Sequence, residues 1–111
     1  MIQVKDCVRF RCLPRQFLTL CEVLQSAASR QKIEATITGA AYENYKKGSY
    51  HAMGYAWDIR IDGIPYPLQY VCEIRSILLD IDKRFRVVYG DTNHTDHIHV
   101  EYRYDLKVEK K

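Results

Sequence analysis

No stretch of this chain approaches the 18 or so consecutive apolar residues of a membrane-spanning helix, so no membrane span is expected in it. Its amino terminus, Met1-Ile2-Gln3-Val4-Lys5-Asp6, lacks the apolar core of a secretory signal, and synthesis as a soluble cytoplasmic chain is expected. Linkers, internal repeats and low-complexity segments are also missing, which leaves no internal domain boundary. The four cysteines, Cys7, Cys12, Cys21 and Cys72, show no CxxC spacing, so neither a zinc knuckle nor a redox centre is indicated. Two disulfides in three pairings are formally open. Cys21 falls on the apolar stripe of one helix and Cys72 opens another, so buried, reduced thiols are the expectation. Basic clusters are absent too: 17 Lys and Arg against 14 Asp and Glu give a net charge of +3, spread along the chain. Nothing in that distribution asks for nucleic acid, while a weakly basic surface suits an anionic cell wall.

What is present is enough for one folded unit. A chain of 111 residues, 47% of them hydrophobic, can bury a core without covalent staples. Residues 1–111 are read as a single domain and a monomer, with a charged end over 105–111 that frays from Lys107 onward. A strand is expected over Val4 to Phe10, and Pro14 suits a helix start because its fixed φ fits the first turn. Phe17, Leu20, Cys21, Leu24, Ala27 and Ala28 then recur at helical spacing through Arg30. Ile33 to Thr38 reads as a strand, Gly39 to Gly48 as a polar loop, and Ala56 to Ile61 as a strand ended by the turn signal Asp62-Gly63. Tyr70, Ile74, Ile77, Leu78 and Ile81 mark a second helix from about Leu68 to Lys83, and Phe85 to Tyr89 and Ile98 to Tyr104 close the order. The fold class is α+β: a small mixed or antiparallel sheet with helices on one face and a metal site on the other.

Two segments carry the chemistry. The first runs Ser49-Tyr50-His51-Ala52-Met53-Gly54-Tyr55-Ala56-Trp57-Asp58 and the second Asp96-His97-Ile98-His99-Val100-Glu101. Side chains alternate across a strand, so Trp57, Ile59 and Ile61 share one face and Asp58 lies on the other. By the same rule Ile98, Val100 and Tyr102 turn inward while His97, His99 and Glu101 turn outward together. If the two strands are antiparallel neighbours, Asp58 and His99 meet on one polar face. His51 would return to that spot through a turn relaxed by Gly54. Each element alone has an ordinary explanation: His-x-His on a strand is commonly a solvated face, and an Asp before a strand is commonly a turn residue. The joint order, spacing and parity point instead to a metal centre with three protein ligands and one open position.

The string Ser49-x-His51-x-x-Gly54-x-Ala56-x-Asp58, followed after an amphipathic helix by Asp96-His97-x-His99, resembles the zinc D-Ala-D-Ala metallopeptidases. That family includes D,D-carboxypeptidases, D-alanyl-D-alanine dipeptidases and L-alanyl-D-glutamate endopeptidases of phage lysins, and shares its fold with the Hedgehog signalling domain. The resemblance spans roughly residues 4 to 104; the first motif is the specific one and the second, taken alone, is weak. It implies a zinc ion held by His51, Asp58 and His99, with Asp96 as catalytic carboxylate and His97 as a second active-site imidazole. Asp96 would act as general base and acid, and His97 would stabilise the oxyanion. Ser49 and Glu101 are candidates for orienting the ligand imidazoles.

One departure from the family concerns substrate. Relatives carry an Arg or Gln before the first ligand to bind the substrate carboxylate or backbone, whereas Thr38 to Gly48 here contains neither. Lys46 or Lys47 could supply the charge, as a point donor rather than a planar fork. Tyr42, Tyr45, Tyr50 and Tyr55 crowd the motif as further hydrogen-bond donors, and His94 sits in a polar loop outside the site. The resemblance implies a peptidase acting on peptidoglycan stem peptides at a bond involving a D-amino acid. A phage lysin or virion-associated enzyme, made in the cytoplasm and reaching the bacterial wall on release or in a particle, fits this reading. The alternative is a zinc-stabilised, non-catalytic binding or virion structural module of Hedgehog-like fold.

Overall fold

The computed structural model describes residues 2–5, 8, 10, 14–40, 50–90 and 97–106. Among them run β1 (Ile2–Val4), α1 (Arg15–Arg30), β2 (Ala35–Gly39), α2 (Tyr50–Met53), β3 (Ala56–Arg60), α3 (Pro67–Ile81), β4 (Phe85–Val88) and β5 (His97–Tyr102). The strands form one mixed sheet in the order β1-β2-β3-β5-β4. Only β1 and β2 pair in parallel; the other three pairings are antiparallel. The architecture is α+β, with the two long helices over the apolar sheet face.

The helices form where the sequence repeats its apolar residues every three or four positions. In α1, Phe17, Leu20, Val23, Leu24, Ala27 and Ala28 are buried and face the sheet. Pro14 stands just before the first turn with φ −68°. The helix ends through Lys32, which takes the left-handed φ of 57° while the Ile33 N–H reaches back to the Ala28 carbonyl at 3.0 Å. In α3, Pro67 occupies the first turn, and Tyr70, Val71, Ile74 and Leu78 are buried. Cys72 is exposed, contrary to the expectation of a buried thiol, because it sits two residues from Tyr70 and therefore on the opposite side of the helix. Cys21 is half-buried, and burial pushes its thiol pKa up. Both are free thiols; Cys7 and Cys12 lie outside the described residues.

Of the strand expected from Val4 to Phe10, Val4 alone is in a strand among the described residues, in β1, which starts at Ile2. Ile2 and Val4 register with Ala35 and Ile37, the Lys5 N–H donates to the Ile37 carbonyl at 3.0 Å, and the Val8 N–H then folds back onto the Lys5 carbonyl at 3.0 Å. Among the described residues β1 ends at Val4, and Asp6, Cys7 and Arg9 of the expected strand lie outside them. The final helix residue, Ile81, is 55% exposed although it was expected in the apolar stripe.

The core lies between the helices and one sheet face. Trp57, Ile59, Ile98, Val100, Ile37 and Phe85 are almost fully buried there, with the Trp57 ring 5.6 Å from that of Phe17. Each such side chain contributes about 1.5–3 kcal/mol on burial. Alternation along β3 and β5 then sends Asp58, His97, His99 and Glu101 to the other face. At the end of α3, Asp82 ties the layers: its carboxylate accepts from the Arg84 N–H at 2.9 Å and from the Tyr102 hydroxyl at 2.7 Å. No helix among the described residues is long and apolar enough to cross a membrane.

Candidate metal centre

Register alone brings the first two groups together. The antiparallel pairing of β3 with β5 sets Asp58 opposite His99, Arg60 opposite His97 and Ala56 opposite Glu101. His51 arrives from α2, a single turn that closes when the Gly54 N–H bonds the His51 carbonyl at 3.1 Å. Gly54 takes φ 86° to redirect the chain into β3, a conformation costly for any residue with a Cβ.

Three donor atoms meet in a nearly equilateral triangle. His51 Nε2 lies 3.1 Å from His99 Nδ1 and 3.2 Å from Asp58 Oδ1, and His99 Nδ1 lies 3.3 Å from the same oxygen. Ligands bound at about 2.0–2.1 Å in a tetrahedron stand about 3.3 Å apart, so this triangle has the dimensions that three such ligands would need. The side chains are 8%, 14% and 12% exposed for His51, Asp58 and His99. They form a group able to hold a metal ion.

The surroundings fix which nitrogens can bind it. His51 Nδ1 faces the Ala40 carbonyl at 2.5 Å, and a carbonyl only accepts, so Nδ1 carries the hydrogen and Nε2 keeps its lone pair. His99 Nε2 donates to the Glu101 carboxylate at 2.8 Å, which leaves Nδ1 as the lone-pair nitrogen of the neutral ring. With both rings neutral, three acceptors face one another across the triangle, and none of the three can donate to another. A cation resolves the conflict. In the metal-free chain a proton does so: burial acts to lower the His99 pKa, but the Asp58 and Glu101 carboxylates raise it to about 9. Burial likewise opposes ionisation of Asp58 and Glu101, yet the imidazoles beside them hold both carboxyls below their ordinary range. Orientation of each ligand imidazole by an outer oxygen is a usual feature of metal sites.

The other expected site residues divide by position. His97 is half-buried at the mouth of the triangle, its Nε2 3.7 Å from Asp58 Oδ1. Glu101 is 7% exposed and holds His99, with the Arg86 guanidinium 3.9 Å behind it. Tyr50 is turned to another task. Its hydroxyl donates to Asp105 at 2.7 Å, and that bond above all pushes the phenol pKa up to about 12. Tyr55 packs its ring 4.6 Å from that of Tyr104. Asp96, Ser49, Lys46, Lys47, Tyr42, Tyr45 and His94 lie outside the described residues.

Two features escaped the sequence reading. The Ala40 carbonyl is a backbone atom and leaves no signature in residue type. A cleft of about 580 Å³ opens beside the triangle, lined by Lys5, Thr38, Asp58, Arg60, Asp62 and His97 among others. Arg60 shares the parity of Asp58, so alternation puts it on the same face, although not in the site. The fold and site thus define an α+β protein whose polar sheet face carries a His-Asp-His group able to hold a metal ion. Comparison with protein-family models, curated proteins and solved structures yields no match in any of the three.

Proposed function

We propose that the chain is a zinc-dependent peptidase that hydrolyses peptidoglycan stem-peptide bonds involving D-amino acids, as a carboxypeptidase or an endopeptidase. The observation that carries this reading is the triangle of His51 Nε2, Asp58 Oδ1 and His99 Nδ1 at 3.1–3.3 Å, whose Asp58 also lines a cleft of about 580 Å³. Two imidazoles and one carboxylate suit zinc, and three protein ligands leave a position free, as catalytic rather than structural sites do. The arrangement is also what a Hedgehog-like D,D-peptidase fold would require of these residues.

Zinc held by His51, Asp58 and His99 would supply an acidified water, of pKa about 7, and polarisation of a carbonyl oxygen. Ala40 and Glu101 orient the His51 and His99 rings so that His51 Nε2 and His99 Nδ1 face the triangle, and metal binding would displace the proton held there. Asp58 supplies the negative charge that offsets the metal's. His97, which lines the cleft with its Nε2 3.7 Å from Asp58 Oδ1, would give a hydrogen bond to the carbonyl oxygen as charge develops on it. Asp96 is the proton carrier in this proposal: its carboxylate takes a proton from the attacking water and delivers it to the leaving amine. The substrate is a stem peptide of the bacterial wall, met after release or from a virion.

Zinc-loaded protein incubated with cell-wall sacculi should release new amino groups, and His51→Ala or Asp96→Ala should abolish that release. Zinc-bound protein inactive on every sacculus type would remove the proposal. The near-complete burial of His51 favours one rival, a zinc-stabilised module without catalysis. Chelation separates the two, since structural zinc is coupled to folding and its loss would lower the melting temperature greatly.

A further inference from the structure

The cleft beside the triangle has a charged wall that the metal does not use. Asp58 and Arg60 alternate on β3, Arg60 lies opposite His97, and Lys5 follows β1 at the same cleft. Neither Lys5 nor Arg60 is paired with a carboxylate among the described residues. Leaving out Asp58, which belongs to the metal-binding group and also lines the cleft, Lys5, Arg60 and Asp62 carry +2 and −1, a net positive charge. Two side chains that alternate on a strand have Cα atoms about 7 Å apart. An extended peptide advances about 3.5 Å per residue, so the wall and the metal stand one to two residues apart along a bound chain.

We infer that Lys5 and Arg60 form an anion-recognition subsite, which selects peptides carrying a carboxylate one or two residues from the bond that is cut. This rests on the proposed peptidase reading and supplies the substrate-binding cation missing from Thr38 to Gly48. Arg60 is the principal specificity determinant, because its planar guanidinium matches a carboxylate with two parallel hydrogen bonds while Lys5 gives a point charge. The carboxylate can come from a peptide C-terminus or from a D-glutamyl side chain, and both present the same two oxygens.

The test is binding, measured by NMR titration of the zinc-loaded chain with two probe pairs. One pair is N-acetyl-D-alanyl-D-alanine and its C-terminal amide; the other is a C-terminally amidated dipeptide ending in D-glutamate or in D-glutamine. The acid member of at least one pair should bind about tenfold or more tightly than its neutral partner, the discrimination of a charge-assisted hydrogen bond. The pair that shows it names the source. Arg60→Ala should erase the difference, Arg60→Lys should restore part of it, and Lys5→Ala should reduce it less. Zinc content and melting temperature should stay unchanged in all three variants. Equal binding of acid and neutral probes, absence of binding by every probe, or undiminished discrimination in Arg60→Ala would overturn the subsite even if hydrolysis is found. Conversely, discrimination without hydrolysis of any peptide would leave the subsite standing and remove the peptidase reading.

Discussion

Glu101→Gln changes one atom of the site and leaves its shape intact. The carboxylate is 7% exposed, receives the His99 Nε2–H at 2.8 Å, and holds His99 Nδ1 toward the triangle. A glutamine can meet that ring in two ways. Its carbonyl can accept the same hydrogen, as a weaker neutral bond, or its amide can donate to Nε2 and force the hydrogen onto Nδ1, where it blocks the metal. Both outcomes weaken binding. Loss of an outer oxygen on a ligand imidazole commonly costs about 10–100-fold in metal affinity, or about 1.4–2.7 kcal/mol. Competition for zinc against a chromophoric chelator reads that range directly. Arg86→Ala is the control: its guanidinium is 3.9 Å from Glu101 and more than half exposed, so its loss should change affinity by less than about 1 kcal/mol. Wild-type zinc affinity in Glu101→Gln would refute the claim that Glu101 sets the His99 tautomer.

Other consequences follow from features away from the metal. Tyr70 is fully buried and its hydroxyl has no hydrogen-bond partner among the described residues, so Tyr70→Phe should raise stability by about 1 kcal/mol in urea titration. A loss of similar size would mean that the hydroxyl is satisfied. Lys32 holds a left-handed φ of 57° at the end of α1, so Lys32→Gly should raise the melting temperature by a few degrees, corresponding to about 1 kcal/mol. An unchanged or lower melting temperature would count against strain there. Burial opposes ionisation of Asp82, but bonds from Arg84 and Tyr102 outweigh it and hold its carboxyl below the ordinary value of 3.8. The folded state therefore binds this proton more weakly than the unfolded chain. Its contribution is present above pH 4 and fades as pH falls through and below that value. The urea midpoint of Asp82→Asn should accordingly fall less than that of wild type between pH 6 and pH 3; equal falls would contradict the assignment.

The strand residues of the site were readable because alternation is local: Asp58, His97, His99 and Glu101 take their faces from period two alone. Their meeting needed only an antiparallel pairing of β3 and β5. What could not be read was set by contacts distant in sequence. The orientation of His51 depends on the Ala40 carbonyl, delivered by β2 near an irregularity in its register with β3. The start of β1 at Ile2 depends on parallel pairing with β2, a partner 33 residues away at Ile2↔Ala35. Cys72 was misjudged for a simpler reason: a position 200° around the helix from Tyr70 cannot share its stripe. The α2 turn is too short for any periodic signal. Its one legible mark is Gly54, which closes the turn at φ 86°.

The central claim is that His51, Asp58 and His99 together hold one metal ion. X-ray absorption at the zinc edge, on protein loaded with one equivalent of zinc, tests it most directly. The account predicts only nitrogen and oxygen neighbours at about 2.0–2.2 Å, with the outer-shell pattern of two imidazoles. Sulfur at about 2.3 Å, or a spectrum unchanged by His51→Ala and His99→Ala, would contradict it.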